Sequence, residues 1–408
     1  MANLATRPVA YLRSRFQLPA ARVLDFHRLH SQLSDFSAYR VDEDARRVDK
    51  LKLALDAFRD CAPEWEALRD RVAHDRPRTL VAGLRERPDG CATCGPRPTP
   101  ITLVATDGSQ IYPDRHVEPT CYLLNVSRIA FHYGTEEPPL MAAEPELRFR
   151  RRDLDELNAD EGEEAFFDVS TEVVSALRDE QELHWLFETA FAERRSARPV
   201  LALADGTLIR WMLRGMNHRV LEDKLIQRYL AILERFRDEG IPVCSYVSMP
   251  GNTELINLLG LFREEPDDAP DADSVLGLVD RLVFERTLQV GERSALFESG
   301  SHIQREYGPH HRICYFYVRL PEEVGRVELP AWVAEQPGWL DLIHAVVVDQ
   351  AEKGGGYPII LTEAHERAVI RAQEKALFYR ILEREMQRAG LRGYAGSQKA
   401  ASKRAPRI

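Results

Sequence analysis

The sequence predicts an α/β protein, a mixed sheet flanked by helices with a helical N-terminal extension and insertions. Three observations predict it. Short apolar runs rich in β-branched residues alternate with longer segments whose apolar residues recur every three or four positions. Two of the short runs, 101–106 and 200–204, are apolar almost throughout, as in strands covered on both faces. At 408 residues the chain exceeds the usual single-domain length, so it holds one large domain with insertions or two domains.

The elements follow in order. Residues 1–98 read as a helical region and linker. Leu53, Leu55, Phe58, Trp65 and Leu68 carry helical spacing within about 20–87, and Pro88-Asp89-Gly90 opens a turn-rich stretch. Arg7, Arg13, Arg15 and Arg22 precede the first acid, Asp25, a start that mimics a transit peptide. Helical spacing continues into Leu51-Lys52-Leu53 and no apolar signal core is present, so a cytoplasmic location is expected. Residues 99–392 read as the main domain. It opens with a strand at 101–106 that ends in Asp107-Gly108, and a second strand spans 121–132. The polar, acidic stretch 134–165 reads as an insertion or long hairpin, and a helix covers 171–194. The strand at 200–204 also ends in Asp-Gly, at Asp205-Gly206. A helix at 217–239 and a strand at 243–248 come next, then a second insertion near 263–274. Strands are expected at 313–320 and 342–348. Gly354-Gly355-Gly356 then leads to a last helix, capped by Thr362 and running to about 389. The stretch 393–408, with Lys399, Lys403, Arg404 and Arg407, reads as a disordered basic tail.

Composition narrows the function classes. Hydrophobic residues make up 44% and charged residues 29%, ordinary values for a globular chain. No apolar stretch of about 18 residues is present, so no membrane span is expected. A formal net charge of -10 argues against coating nucleic acid through bulk charge, though basic residues can still line one groove. There is no GxxxxGK[ST] pattern, so any ATP-driven motor must be another protein. The six cysteines are scattered except for Cys91-Ala-Thr-Cys94, which reads as a metal knuckle or as inert loop thiols.

The chemistry lies in the two strands that end in Asp-Gly. An aspartate at a strand end projects at the sheet edge where ligands bind, and glycine allows a sharp turn beside it. Two such carboxylates repel unless a cation sits between them, and hard oxygen ligands suit magnesium or manganese. Divalent ions held this way can stabilise the attacking and leaving oxygens of a phosphodiester. Asp-Gly is also a common turn dipeptide, and the residues alone leave both readings open.

The flanking residues carry a resemblance. Val104-Ala105-Thr106-Asp107-Gly108-Ser109-Gln110-Ile111-Tyr112-Pro113-Asp114-Arg115-His116 resembles the first motif of the NurA nucleases. Leu203-Ala204-Asp205-Gly206-Thr207-Leu208-Ile209 resembles their second, and Gly356-Tyr357-Pro358-Ile359-Ile360-Leu361-Thr362-Glu363-Ala364-His365 their third. The resemblance implies an RNase H-like core and a manganese-dependent DNA 5'-3' exonuclease with single-strand endonuclease activity, magnesium being the alternative ion. It also implies DNA-end processing in recombinational repair, a homodimer, and docking onto a hexameric HerA-type ATPase. By position it makes Asp107 and Asp205 metal ligands, with Tyr357 and His365 completing the site. Placed in the first turn of a helix capped by Thr362, His365 would lie near backbone N–H groups that favour phosphate. It could ligate manganese or accept a proton.

A helical glutamate is the remaining ligand, and two arguments about it disagree. Motif spacing, four residues after Arg178, selects Glu182. A helical wheel puts Glu180 among Val173, Ala176, Leu177, His184, Phe187 and Phe191, where a carboxylate needs compensation, and so favours Glu180. Glu182 is preferred on the motif. Two other readings stay open: a catalytically silent DNA-binding or partner-regulating subunit, and a nuclease acting on RNA.

Overall fold

The computed structural model describes residues 26–75, 79–113, 121–149, 170–196, 198–216, 219–263, 275 and 277–391. The arginine-rich start, the latter part of the first insertion, the acidic loop at 264–273, the basic tail at 393–408 and motif residues Asp114 to His116 lie outside them. The chain divides into two compact units, Met1–Lys52 and Leu53–Ile408. The first holds the N-terminal part of helix α1 (Phe26–Cys61). The second holds the end of α1, helix α2 (Trp65–Asp75) and everything that follows.

The second unit is organised by one mixed twelve-stranded sheet. Its functional half contains β3 (Ile101–Thr106), β4 (Gly108–Ile111), β5 (Tyr122–Tyr133), β6 (Leu140–Arg148), β7 (Val200–Asp205) and β8 (Val243–Val247). The order across it is β6-β5-β3-β7-β8; β5 runs antiparallel to β6 and β3, whereas β3, β7 and β8 are parallel. An antiparallel meander joined to a parallel set in this order is an RNase H-like core. Every residue of β3 is buried, as expected of a strand with helices on both faces. Helix α3 (Thr171–Ala192), capped by the Ser170 side chain, packs on β3, β4, β5 and β7, and helix α4 (Arg219–Asp238) packs beside it.

The sheet extends beyond β8 through β12 (Val324–Pro330) and β11 (Ile313–Arg319) to β10 (Phe297–Glu298) and β9 (Arg293–Ser294). Residues 79–98 are part of it. Strand β1 (Gly83–Leu84) pairs with β10, and β2 (Cys91–Ala92) pairs with β9. The helical reading to about residue 87 is therefore too long, since α2 ends at Asp75 and Gly83–Leu84 is a strand; with part of the segment read as a linker it closes one margin of the sheet.

Three sequence expectations need correction. The stretch 342–348 is not a strand but the middle of helix α9 (Trp339–Lys353). Its valine run looks like a strand, yet Ile343, Val346, Val347 and Ala351 bury one helical face, and packing overrides β-propensity. The expected last helix is two, α10 (Ile359–Ala368) and α11 (Ala372–Arg388). Thr362 caps neither, because α10 already starts after Pro358. Strand β12 went unforeseen because Arg326 and Glu328 interrupt its apolar pattern. Both are buried in a mutual ion pair. No helix among the described residues is long and apolar enough to cross a membrane.

Candidate active site

Asp107 follows the end of β3 at Thr106 and precedes the start of β4 at Gly108. The register of β5 continues unbroken past it, with Ala105 opposite Ile129 and Gly108 opposite Val126, and Ser127 donates its N–H to the Asp107 carbonyl at 2.8 Å. What ends there is the other neighbour, since β7 pairs with β3 only as far as Thr106 opposite Ala204. Asp107 therefore lies at a fork where one side of its strand is open.

The two glycines do different work. Gly206 has φ +75 with open space around it, so it makes the turn the sequence suggested. Gly108 makes no turn. A Cβ there would lie 2.5 Å from Oε1 of Glu182 and 2.8 Å from Cγ of Arg178, so its bareness lets α3 approach the Asp107 strand.

That approach sorts the two glutamates. Glu182 sits against Gly108 with its side chain 17% exposed and Arg178 Nε 3.0 Å away. Its Oε1 is buried without a well-angled hydrogen bond. Burial pushes the Glu182 carboxyl up to about 8 against the pull of Arg178, and Asp179 and Asp107 add to the rise. Glu180 turns toward α4, where the Arg228 Nε donates to it at 3.0 Å. The compensation that the helical wheel demanded for a buried Glu180 comes from an arginine.

Asp205, at the end of β7, accepts a hydrogen bond from the Tyr357 hydroxyl at 2.9 Å. Burial of the carboxylate raises its pKa; the Tyr357 bond opposes this and Asp107 reinforces it. His365 contacts Asp107 through Nδ1 at 2.8 Å from Oδ2 and is 60% exposed. It lies in the last turn of α10, not the first turn of the final helix. The helix-end argument is thereby reversed: the negative end of the helix dipole favours a cation rather than a phosphate. Ser109 Oγ and Asn125 Nδ2 both donate to the Ala368 carbonyl, fastening that end of α10 to β4 and β5.

Five predicted residues thus meet at one sheet edge: Asp107, Glu182, Asp205, Tyr357 and His365. Carboxylate oxygens with one imidazole form a donor set suited to manganese or magnesium. A buried Glu182 oxygen met only by a poorly angled Arg178, and an Asp205 whose cost of ionisation burial and Asp107 raise, fit a divalent cation. A different group, His132, Glu137 and Glu193, has ligand atoms within 4.8 Å of one another. It lies at the other end of β3, where His132 pairs with Thr102. Arg198 and Arg195 already neutralise its two glutamates. Among the described residues, no such group contains Cys91 or Cys94.

Several supporting residues escaped the sequence reading. The Tyr357 ring meets Tyr246 edge-on at 5.5 Å, and the Tyr246 hydroxyl donates to Glu323 at 2.6 Å. Gly325 leaves room for Tyr246; any Cβ there would overlap its ring. Glu328 accepts from the Thr207 hydroxyl at 2.8 Å and the Leu208 N–H at 2.9 Å, just beyond Asp205-Gly206. Tyr246 lies in the strand expected at 243–248; for the others the sequence signal was the alternation of Val327 with Leu329 in β12.

The family model of the NurA domain matches residues 101–370, which include all five site residues. The chain belongs to the NurA family. Its structure is similar to that of the NurA nuclease from Sulfolobus solfataricus, at 13% identity and a TM-score of 0.49, over 73% of this chain and 88% of that one. It is also similar to LC9-RNase H1, a type 1 RNase H with the type 2 active-site motif, at 14% identity and a TM-score of 0.21, over 41% of this chain and 72% of that one. No curated protein matches it.

Proposed function

We propose that this NurA protein hydrolyses DNA phosphodiester bonds with divalent cations held by Asp107, Asp205, Glu182 and His365. The observation that carries this reading is the meeting of three carboxylates, from the β3–β4 junction, β7 and α3, beside Tyr357 and His365. A bound divalent ion would lower the pKa of water and neutralise charge on the leaving oxygen. The protein's own residues set the stage for it. Arg178 orients Glu182 from one turn away. Tyr357 fixes one oxygen of Asp205 and so sets the orientation of the carboxylate. His365 holds Asp107 from the opposite face to α3 and is exposed enough to meet substrate or metal. A nitrogen donor beside carboxylates favours manganese over magnesium.

The finer reading is an enzyme of DNA-end processing in recombinational repair, an exonuclease of 5'-3' polarity with single-strand endonuclease activity. It works as a homodimer with a HerA-type hexameric ATPase. Absence of a phosphate-binding ATPase motif supports the need for a separate motor. Six free cysteines, four of them buried, suit a reducing compartment such as the cytoplasm.

The test is cleavage of labelled single- and double-stranded DNA, and of RNA, by wild type and Asp107→Asn with manganese, magnesium or chelator. Wild type should cut DNA faster with manganese, and Asp107→Asn should lose at least about a hundredfold in rate. Unaltered cleavage by the variant would remove Asp107 from the site. A wild type inert on every substrate would point to the silent-subunit reading, and cleavage of RNA alone would replace the substrate.

A further inference from the structure

The loops after β7 and β8 leave the sheet at the end where the carboxylates meet, and each carries apolar side chains into solvent. Met249, two residues beyond β8, is 52% exposed, and Trp211 and Met212, six and seven residues beyond Asp205, are 62% and 42% exposed. Met249 is also the non-glycine residue with positive φ among the described residues, at φ 44. It precedes Pro250, which restricts its backbone further. A side chain in that conformation is strained, and here the strain brings no burial in return.

The strained loop is built, not loose. Glu323 accepts from the Met249 N–H at 3.1 Å, the Ser248 hydroxyl at 2.6 Å and the Tyr246 hydroxyl at 2.6 Å. Tyr246 lies opposite Asp205 in the sheet and packs on Tyr357, which bonds Asp205. A continuous line of contacts therefore ties the Met249 backbone to a carboxylate of the site. On the Trp211 side, Arg210 is anchored in the same way. Its N–H bonds the Tyr307 hydroxyl, and its guanidinium pairs with Asp179, which pairs with Arg178 and so reaches Glu182.

We propose that Met249 and Trp211 form a nucleobase-contacting rim, which receives unpaired bases flanking the phosphate to be cut. The inference rests on the nuclease reading and adds to it a preference for single-stranded or frayed DNA. Aromatic and thioether side chains suit any base, because every base has an apolar face. Methionine is also among the wedges that separate stacked bases. A paired base cannot offer its face to either side chain, so duplex must fray before it is cut.

The experiment uses single-stranded oligonucleotides with a unique cleavage position, either intact or carrying an abasic site at each of the nearest positions. The proteins are wild type, Met249→Gly, Trp211→Ala, Trp211→Phe and a surface control, Val290→Ala. Glycine adopts positive φ freely, so Met249→Gly removes the side chain while keeping the loop, and its melting temperature should not fall. Wild type should show KM raised about tenfold by an abasic site at a contacted position. Met249→Gly and Trp211→Ala should each raise KM for intact DNA by about tenfold, with kcat within about threefold, and should lose the sensitivity to the abasic site. Trp211→Phe should restore most of the affinity. Unchanged KM and unchanged abasic sensitivity in both variants, with active wild type, would overturn the rim and leave the nuclease reading standing. A loss of kcat without a change in KM would also overturn it. Failure of wild type to cut any oligonucleotide would overturn the nuclease reading, and the rim with it.

Discussion

The two Asp-Gly pairs look alike in sequence, and replacing each glycine with alanine should separate them. At Gly206 an added Cβ meets nothing, but the backbone sits at φ +75, so Gly206→Ala should cost about 1–2 kcal/mol of stability through left-handed strain. At Gly108 the φ is ordinary, and the obstacle is Glu182. The Cβ would stand 2.5 Å from Oε1, 2.8 Å from Arg178 Cγ and 3.0 Å from Glu182 Cγ. Ordinary carbon contacts begin near 3.5 Å, so the carboxylate must retreat by roughly 1 Å. The obstructing groups are side chains that can swing aside, so the stability cost should stay below about 1 kcal/mol. A displacement of that size in a positioned catalytic group can cost on the order of a hundredfold in rate. Steady-state cleavage with manganese, paired with urea denaturation of each variant, reads both effects. Gly108→Ala should have near-normal stability and a kcat lowered about a hundredfold. A Gly108→Ala enzyme with wild-type kcat would show that Glu182 does not work where the fold puts it.

Two further predictions follow from buried acids. Glu182→Gln should abolish cleavage, whereas Glu180→Gln should stay within about threefold of wild type, because the Glu180 carboxylate is engaged by Arg228; the reverse pattern in a manganese assay would return the ligand role to Glu180. Asp280 is fully buried, and burial raises its carboxyl to about 7 although the Ile256 N–H and Tyr317 hydroxyl bond it. A raised folded pKa means that its contribution is complete below the unfolded value near 4 and is lost as pH rises through about 7. Wild type should therefore lose stability between about pH 4 and 7 more steeply than Asp280→Asn, and parallel urea midpoints across that range would refute this.

Much of the site was legible because its residues are repeated in a form that physics can read. Apolar runs 101–106 and 200–204 announced strands buried on both faces, and each carries its aspartate at the point where strand pairing changes. The order of motifs then brought Tyr357 and His365 into the same reading. What failed was the setting of His365. Thr362 looked like a cap because the sequence does not show that Pro358 already begins the helix, nor that the chain breaks again between Ala368 and Ala372. For Glu180 the wheel correctly found a buried carboxylate, but the side chain that compensates it, Arg228, lies 48 residues later, and no local pattern reports that.

The hardest element to foresee, β12, is also the one that holds the Asp205 loop. Arg326 is fully buried, lies 3.5 Å over the Tyr315 ring, and pairs at 2.8 Å with both Glu254 and Glu328. Buried ion clusters of this kind rarely add net stability over apolar residues of the same volume. Stability is thus a poor reason for charge at these positions. An apolar replacement would fill the space, but it could not accept the Leu208 N–H and the Thr207 hydroxyl, both bonded by the second oxygen of Glu328. Those two donors lie immediately after Asp205-Gly206, so they set the direction in which the chain leaves the carboxylate. Glu323, in the hairpin that opens β12, does the same for the neighbouring loop at Met249. Arg326 holds Glu328 in place, and Glu328 holds the loop in place. The charges that made β12 look unlike a strand are the ones that connect it to the site.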